Sequence, residues 1–244
     1  FTDDWEEDSS RRDFTINSIY LNKNGKIFDP QLGIKDLNNK IVRFIGDPLK
    51  RIEEDYLRII RFIRFSIQYE SEVDRQTIEA IKLKINGIKF ISKERILAEL
   101  LKIIDLNNFA KILKNKDLKS IFLLVFPEFK YLNRLEKYKF DNGISQIDEN
   151  LILGILLLDD TNNFEYFCHK YKVSNVIKNN LDFLSKGLSG IKKNKDFLEK
   201  NIKENIYYFG KSELKKIIIL NFFIKEKNSI KEFLKKLQTI DNMS

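Results

Sequence analysis

The stretch Glu53-Glu54-Asp55-Tyr56-Leu57-Arg58-Ile59-Ile60-Arg61-Phe62-Ile63-Arg64-Phe65 constrains this chain more than any other. An aspartate and three arginines recur there at every third position, inside a run that is otherwise almost wholly apolar. On an α-helix a step of three turns a side chain back by about 60°. Asp55, Arg58 and Arg61 would then share an arc of roughly 120°, with Arg64 continuing the spiral. A solvated basic helix keeps one face free of large apolar residues. Here Leu57, Phe62 and Phe65 fall among the charges, so both sides of the helix read as covered. A covered guanidinium needs a partner, because an unpaired buried charge is strongly destabilising. The partners are either other protein groups or a ligand rich in hydrogen-bond acceptors.

Composition narrows the setting. The 244 residues suffice for one large domain or two to three small ones, and three prolines and nine glycines favour long helices over a many-turned β fold. A net charge of +8 favours a polyanionic partner. No apolar run approaches the ~18 residues that cross a bilayer, so no membrane partner is expected; Leu151–Leu158 and Ile217–Ile224 suit buried helices. The lone cysteine, Cys168, and the lone histidine, His169, cannot complete a Cys/His zinc site. Cys168 reads as a structural thiol, and the lack of any possible internal disulfide points to a reducing cytoplasm. The chain starts at Phe1 and its only methionine is Met243, so it reads as a fragment or processed piece.

Taken in order, Phe1–Ser10 reads as an acidic loop. Ser18–Asn22 and Lys26–Asp29 are expected as strands around Asn24-Gly25, a strong hairpin signal. Ile34–Asn39 reads as a short turn or helical piece, and Ile41–Ile45 as a third strand ended by Gly46-Asp47-Pro48. From Leu49 the pattern is helical: a first helix over Leu49–Tyr69, a second over Asp74–Ile85 closed by Asn86-Gly87 as a C-cap, and a third over Lys93–Ile104 capped by Ser92. Asn107-Asn108, Pro127, Asp141-Asn142-Gly143, Asp159–Asn163 and Gly187–Gly190 are expected to punctuate further helices. The Lys-rich pieces Lys192–Lys200 and Lys225–Lys236 read as solvated helix faces, with nucleic-acid contact as the alternative.

Two clusters carry chemistry. Arg11-Arg12-Asp13, with Thr15 and Asn17, can clamp a phosphate through Arg12 and accept ribose hydroxyls through Asp13, while Asn17 both donates and accepts. The same residues can equally form a salt-bridged turn. Asp55 and Arg58 present acceptors beside a fork of donors, which suits the planar edge of a base. Arg61 and Arg64 would face a triphosphate or a nucleic-acid backbone. The plainer alternative is an internal ion pair of Asp55 with Arg58 or Arg61.

These residues resemble the motifs of a known family. Arg11-Arg12-Asp13-Phe14-Thr15-Ile16-Asn17 resembles the second motif of class II tRNA nucleotidyltransferases, the CCA-adding enzymes, and of the related bacterial poly(A) polymerases. Asp29-Pro30 with Gly33 and Asp36-Leu37 is similar to the third motif. Glu54-Asp55-Tyr56-Leu57-Arg58-Ile59-Ile60-Arg61 is similar to the fourth, and Ser92-Lys93-Glu94-Arg95-Ile96-Leu97-Ala98-Glu99-Leu100 to the fifth, a neck helix that buttresses the fourth. The resemblance covers about residues 8–105. It implies a mainly α fold, a helical neck and body preceded by a short β-containing part of an α/β nucleotidyltransferase head. The implied divisions are 1–48 for the head, 49–110 for the neck, and 111–244 for a helical body and tail that bind tRNA. It further implies that Arg12, Asp13 and Asn17 bind ribose and phosphates, that Asp55 and Arg58 pair with the incoming base, and that Arg61 and Arg64 lie near the nucleotide. The implied activity adds CMP and AMP from CTP and ATP to the tRNA 3′ end with side chains as the template. A poly(A) polymerase and a CC- or A-adding relative share these motifs.

The sequence departs from the family at one place. The resemblance implies an upstream Gly-Gly pair, an Arg-Asp pair and an Asp-x-Asp whose carboxylates hold Mg2+. No two glycines of this chain are adjacent and no Asp-x-Asp occurs. Asp3-Asp4 and Asp159-Asp160 are adjacent pairs whose side chains diverge. The expectation is therefore nucleotide recognition without the catalytic metal site, because the upstream strands are missing. Two further expectations stand beside it, a non-catalytic tRNA- or nucleotide-binding remnant and a plain helical protein with structural ion pairs.

Overall fold

A computed structural model of the protein describes residues 4–140, 147–159, 161–194, 197, 202–225 and 229–243. Among the described residues it is mainly helical, with one two-stranded antiparallel ribbon. Two compact units divide at Pro127/Glu128. The sequence divisions at 48 and 110 both fall inside the first.

The first unit opens with a helix where a loop is expected. Asp4 caps α1 (Trp5–Arg11) by accepting from the Glu6 and Glu7 N–H groups, and Glu6, Glu7 and Asp8 occupy the first turn, where negative charge favours a helix. Trp5 fixes α1 to the ribbon by stacking on Tyr20 at 5.5 Å and meeting Phe28 at 5.7 Å. The ribbon pairs β1 (Tyr20–Leu21) with β2 (Ile27–Phe28), a shorter ladder than the sequence suggests. Asn22 closes the turn, its side chain accepting from the Asn24 and Lys26 N–H groups. The expected third strand over 41–45 is absent as a strand: it forms only two isolated bridges, Phe14 with Phe44 and Ile41 with Glu72. Its alternate residues Val42 and Phe44 are buried as a strand's would be, but the segment facing Phe44 turns at once into a 3-10 helix over Thr15–Asn17. A ladder has no room to extend.

That short bridge still matters. The Thr15 N–H donates to the Arg43 carbonyl and the Ile45 N–H to the Asp13 carbonyl. Asp29 accepts from the Gly33 and Ile34 N–H groups and starts α2 (Gly33–Asn38). A side chain at Gly33 would sit 2.3 Å from the Thr15 carbonyl oxygen, so only glycine lets α2 lie against the 13–17 turn.

The long helix expected over Leu49–Tyr69 is two helices, α3 (Pro48–Glu54) and α4 (Leu57–Gln68). Asp55 interrupts them with an extended backbone, φ −155° and ψ 105°, and its side chain accepts from the Leu57 N–H. A short polar side chain that bonds its own downstream backbone competes with the helix in this way. Helices α5 (Arg75–Lys84) and α6 (Lys93–Ile104) follow as expected, capped by Asp74 and Ser92. Asn86-Gly87 is not a C-cap but part of a 3-10 segment, Ile85–Phe90. Its glycine is required by space: a Cβ there would lie 2.0 Å from the Tyr56 ring. Helix α7 (Lys116–Val125) completes the unit. Its aromatic core is Phe14, Phe44, Phe62 and Phe65, with ring centroids 4.7–6.2 Å apart.

The second unit comprises α8 (Glu149–Leu157), α9 (Asn163–Tyr171), α10 (Asn175–Lys193), α11 (Ile202–Phe209), α12 (Lys211–Ile224) and α13 (Ile230–Asp241). Helix α8 is buried on every side from Leu151 to Leu157, as its apolar run implies. Arg134 donates to the Ile155 and Leu158 carbonyls at its C-terminal end. Gly187 and Gly190 do not punctuate α10; they lie within it, and Ile217 of α12 occupies the space a Gly187 side chain would need. Cys168 is buried, and burial raises its thiol pKa. The expected break at Asp141-Asn142-Gly143, Asp3 and Asp160 of the paired aspartates, and parts of both Lys-rich pieces lie outside the described residues. Among the described residues no helix is long and apolar enough to cross a membrane.

Candidate functional site

Phe14 carries the site. Fully buried against Phe44, Phe62 and Phe65, it bolts the 13–17 turn onto one face of α4. Burying such a ring is worth about 1.5–3 kcal/mol. Asp13 is thereby pressed against Arg61. Its Oδ1 accepts from the Phe14 N–H at 3.0 Å and Asn17 Nδ2 at 2.8 Å, and its Oδ2 accepts from Arg61 Nε at 2.5 Å. Burial alone would raise the Asp13 pKa; the bonds from Arg61, Asn17 and the backbone outweigh it, and the carboxyl stays below its ordinary value. Two residues 48 apart in sequence thus meet in an ion pair that is 8% exposed on the aspartate side and 30% on the arginine side.

The charges continue inward. Arg64 Nε lies 2.9 Å from Glu99 Oε2 on α6 without the alignment of a hydrogen bond, so the contact is an ion pair. Lys102 donates to Glu99 Oε1 at 2.9 Å, and Arg61 Nη1 is 3.9 Å from the same oxygen. The Arg64 guanidinium also sits 4.2 Å from the Phe65 ring centroid. Arg61 and Arg64 therefore have protein partners, the outcome in which the spiral serves structure first.

Asp55 and Arg58 are not paired with each other. Asp55 has left the helix, so the shared arc expected for it does not exist; its Oδ2 accepts from Arg95 Nη2 of α6 at 2.7 Å. Arg58 donates through Nη1 to Glu54 at 2.5 Å and to the Arg51 carbonyl at 2.7 Å. Each retains capacity. Asp55 uses two of the roughly four acceptor positions of a carboxylate, and among the described residues Arg58 has no protein partner at Nε or Nη2. The bonds from Arg58 and Arg51 hold the Glu54 carboxyl below its ordinary pKa against the effect of burial.

At the edge of the site Arg12 forks onto Asp8, with Nε at 3.1 Å and Nη2 at 2.7 Å from Oδ2, which also accepts from the Tyr20 hydroxyl at 2.8 Å. The Arg12 and Tyr20 bonds keep the Asp8 carboxyl ionised below the usual range. Arg12 is about half exposed and can turn to another anion. Asp36 of the third motif is buried and accepts from Thr15 Oγ1 at 2.7 Å and Arg43 Nη2 at 3.0 Å, tying that motif to the second.

Three contributors escape the sequence reading. Arg51 donates to the Ser10 and Arg12 carbonyls and so joins α3 to the C-terminal end of α1, just before Asp13. Arg95 holds Asp55, and Glu99 neutralises the spiral. Arg95 and Glu99 lie in the fifth motif, whose resemblance implies a buttress for the fourth but not these pairings, and nothing in the sequence singles out Arg51. A groove of about 480 Å³ lined by Arg43, Asp47, Glu72 and Asp74 contains none of the seven predicted site residues. The described carboxylates do not fit Mg2+: Asp8, Asp13, Glu54 and Asp55 each face a guanidinium. No group of three or more described Asp, Glu, His or Cys residues converges on a point that could hold a metal.

Two family models match the chain, the poly A polymerase head domain over residues 1–43 and the probable RNA and SrmB-binding site of polymerase A over 72–132. The human mitochondrial CCA tRNA nucleotidyltransferase 1 is 48% identical over 107 residues, 43% of this chain and 25% of the relative. Over these segments the chain is similar to the class II tRNA nucleotidyltransferases and poly(A) polymerases. A CCA-adding enzyme of Staphylococcus aureus is 36% identical over 157 residues, 64% of this chain and 38% of the relative. The matches thus span between a quarter and two fifths of these relatives. The fold agrees: the Bacillus stearothermophilus CCA-adding enzyme in complex with CTP aligns over 99% of this chain and 59% of its own, with a TM-score of 0.76 and 21% identity. The Thermotoga maritima CCA-adding enzyme complexed with tRNA aligns over 98% and 61%, with a TM-score of 0.65 and 20% identity.

Proposed function

We propose that this chain carries the nucleotide-recognition machinery of a CCA-adding tRNA nucleotidyltransferase. The observation that carries the reading is the Asp13–Arg61 ion pair, which holds the Arg12-Asp13-Asn17 turn against the helix that begins beside Asp55 and Arg58. A ribose and triphosphate would meet Arg12, Asp13 and Asn17, while the base edge would meet Asp55 and Arg58. Arg61 and Arg64 would lie beneath the nucleotide as positioning groups, already neutralised by Asp13 and Glu99. CTP and ATP present different donor and acceptor rows, and a carboxylate beside a guanidinium can satisfy both. Glu54 and Arg95 hold the two readers apart in the free protein. Both are themselves about half-exposed, so exchanging them for a base costs little desolvation.

The partners in this reading are CTP, ATP and the 3′ end of tRNA, which suits a net charge of +8. The names of the relatives and the CTP, ATP and tRNA complexes of the structural neighbours support it. Magnesium chemistry is assigned to none of the described residues.

Isothermal titration of the 244-residue chain with CTP tests the proposal. Arg12→Ala is expected to weaken CTP, ATP and UTP alike by roughly tenfold, the scale of one lost charge-assisted bond. No binding by the parent chain, or no effect of Arg12→Ala, would remove the phosphate assignment.

A further inference from the structure

One aromatic side chain near the site is exposed where core residues are plentiful. Phe90 ends the 3-10 segment between α5 and α6 and is 75% accessible. Its ring is not adrift. Lys89 Nζ lies 5.0 Å over it, and the Tyr56 ring is 6.3 Å away. Tyr56 is itself clamped against Gly87, so the Tyr56–Phe90 pair has a rigid base. Tyr56 directly follows Asp55, and Asp55 is held by Arg95 from the start of α6. The aromatic pair therefore borders the proposed base-reading pair. From Lys82 to Arg95 the sequence holds five cationic side chains against one carboxylate, and the whole span lies inside the region matched by the RNA-binding family model.

An exposed ring flanked by cations is the pattern that binds unpaired bases: the ring stacks on a base face and the cations meet the adjoining phosphates. A protein partner would need a broad apolar patch, and here one exposed ring carries a lysine over its face and, among the described aromatic rings, meets only that of Tyr56. We propose that Phe90 is a stacking platform for one unpaired base of the RNA primer, with Lys89 facing its phosphate, next to the Asp55–Arg95 pair. The platform rests on the nucleotide-recognition reading of Asp55 and Arg58. It assigns RNA positioning to a residue outside every motif quoted for the family.

The test uses the 244-residue chain and a tRNA minihelix lacking its 3′ CCA, with 2-aminopurine at the unpaired 3′ terminus. Phe90→Ala is expected to leave the unfolding midpoint and CTP affinity unchanged, since the ring is exposed and touches no predicted nucleotide ligand. RNA affinity should fall roughly five- to hundredfold, the loss expected for one base–aromatic stack, and the stacking quench of 2-aminopurine should vanish. Phe90→Trp should keep affinity and quench, whereas Phe90→Leu, apolar but not aromatic, should lose the quench. Wild-type RNA binding and quench in Phe90→Ala, with CTP still bound, would overturn the platform alone. A chain that binds neither CTP nor the minihelix would overturn both the platform and the reading on which it rests.

Discussion

Replacing Asp13 by Asn keeps the shape of the side chain and removes the charge that Arg61 faces. The lost interaction is a charge-assisted hydrogen bond with the aspartate 8% exposed, in the class worth about 1.5–3 kcal/mol. Arg61 is 30% exposed, so part of its hydration returns and the lower half of that range applies. The new amide also directs a donor toward either Arg61 or Asn17, both donors already. Together these give about 2 kcal/mol of destabilisation, a fall of roughly 4–8 °C in the midpoint at this chain length. Urea unfolding followed by far-ultraviolet circular dichroism, without nucleotide, measures it. A cycle with Arg61→Met isolates the pair, and the expected coupling is about 1–2 kcal/mol. Coupling under about 0.5 kcal/mol would refute the claim that this bond joins the two segments.

The same pair sets an acid dependence. Asp13 has a folded pKa below its unfolded one, so its stabilisation is complete above the ordinary carboxylate value near 4 and declines as pH falls through the lower, folded value. Acid titration of stability should therefore be shallower below about pH 4 in Asp13→Asn than in the parent, and parallel curves would contradict it. Glu99→Ala leaves Arg64 and Lys102 without their carboxylate and should cost about 3 kcal/mol, the low end for a broken buried pair; thermal unfolding checks the value. Gly87→Ala drives a methyl into the Tyr56 ring and should destabilise by about 1–3 kcal/mol while shifting tyrosine fluorescence. Gly33→Ala meets backbone at Thr15 rather than a side chain, so its cost should be the larger of the two in the same denaturation assay.

Helix α6 and the covered face of α4 were legible because periodicity and capping residues write themselves into sequence. The apolar stripe of Ile59, Ile60, Phe62 and Ile63 required burial, and Ser92 marked a helix start. What failed was local competition. Asp55 reads as one more helical position, yet its side chain captures the Leu57 N–H and breaks the helix, and its other oxygen is held by Arg95 forty residues away. Acidic α1 was hidden for a similar reason: its apolar anchor is a single tryptophan whose partners, Tyr20 and Phe28, lie on the hairpin. Gly87 and Gly187 looked like breakers because sequence distinguishes poorly between a glycine that turns the chain and one that admits a neighbour. For the site, the motifs pointed to Asp13, Asp55 and the arginines. Their pairing scheme needed three dimensions: Asp8–Arg12 and Glu54–Arg58 lie one helical turn apart, but Asp13–Arg61 and Glu99–Arg64 join distant segments, and packing of Phe14 brings the first of these together.

The central claim is that Asp55 and Arg58 read the base, and competition binding with the four nucleoside triphosphates tests it most directly. The parent chain should prefer CTP and ATP to UTP and GTP. Asp55→Ala and Arg58→Ala should flatten that preference by about tenfold while leaving triphosphate affinity, measured with inorganic triphosphate, within about threefold. Unchanged preference in both variants would place base recognition elsewhere.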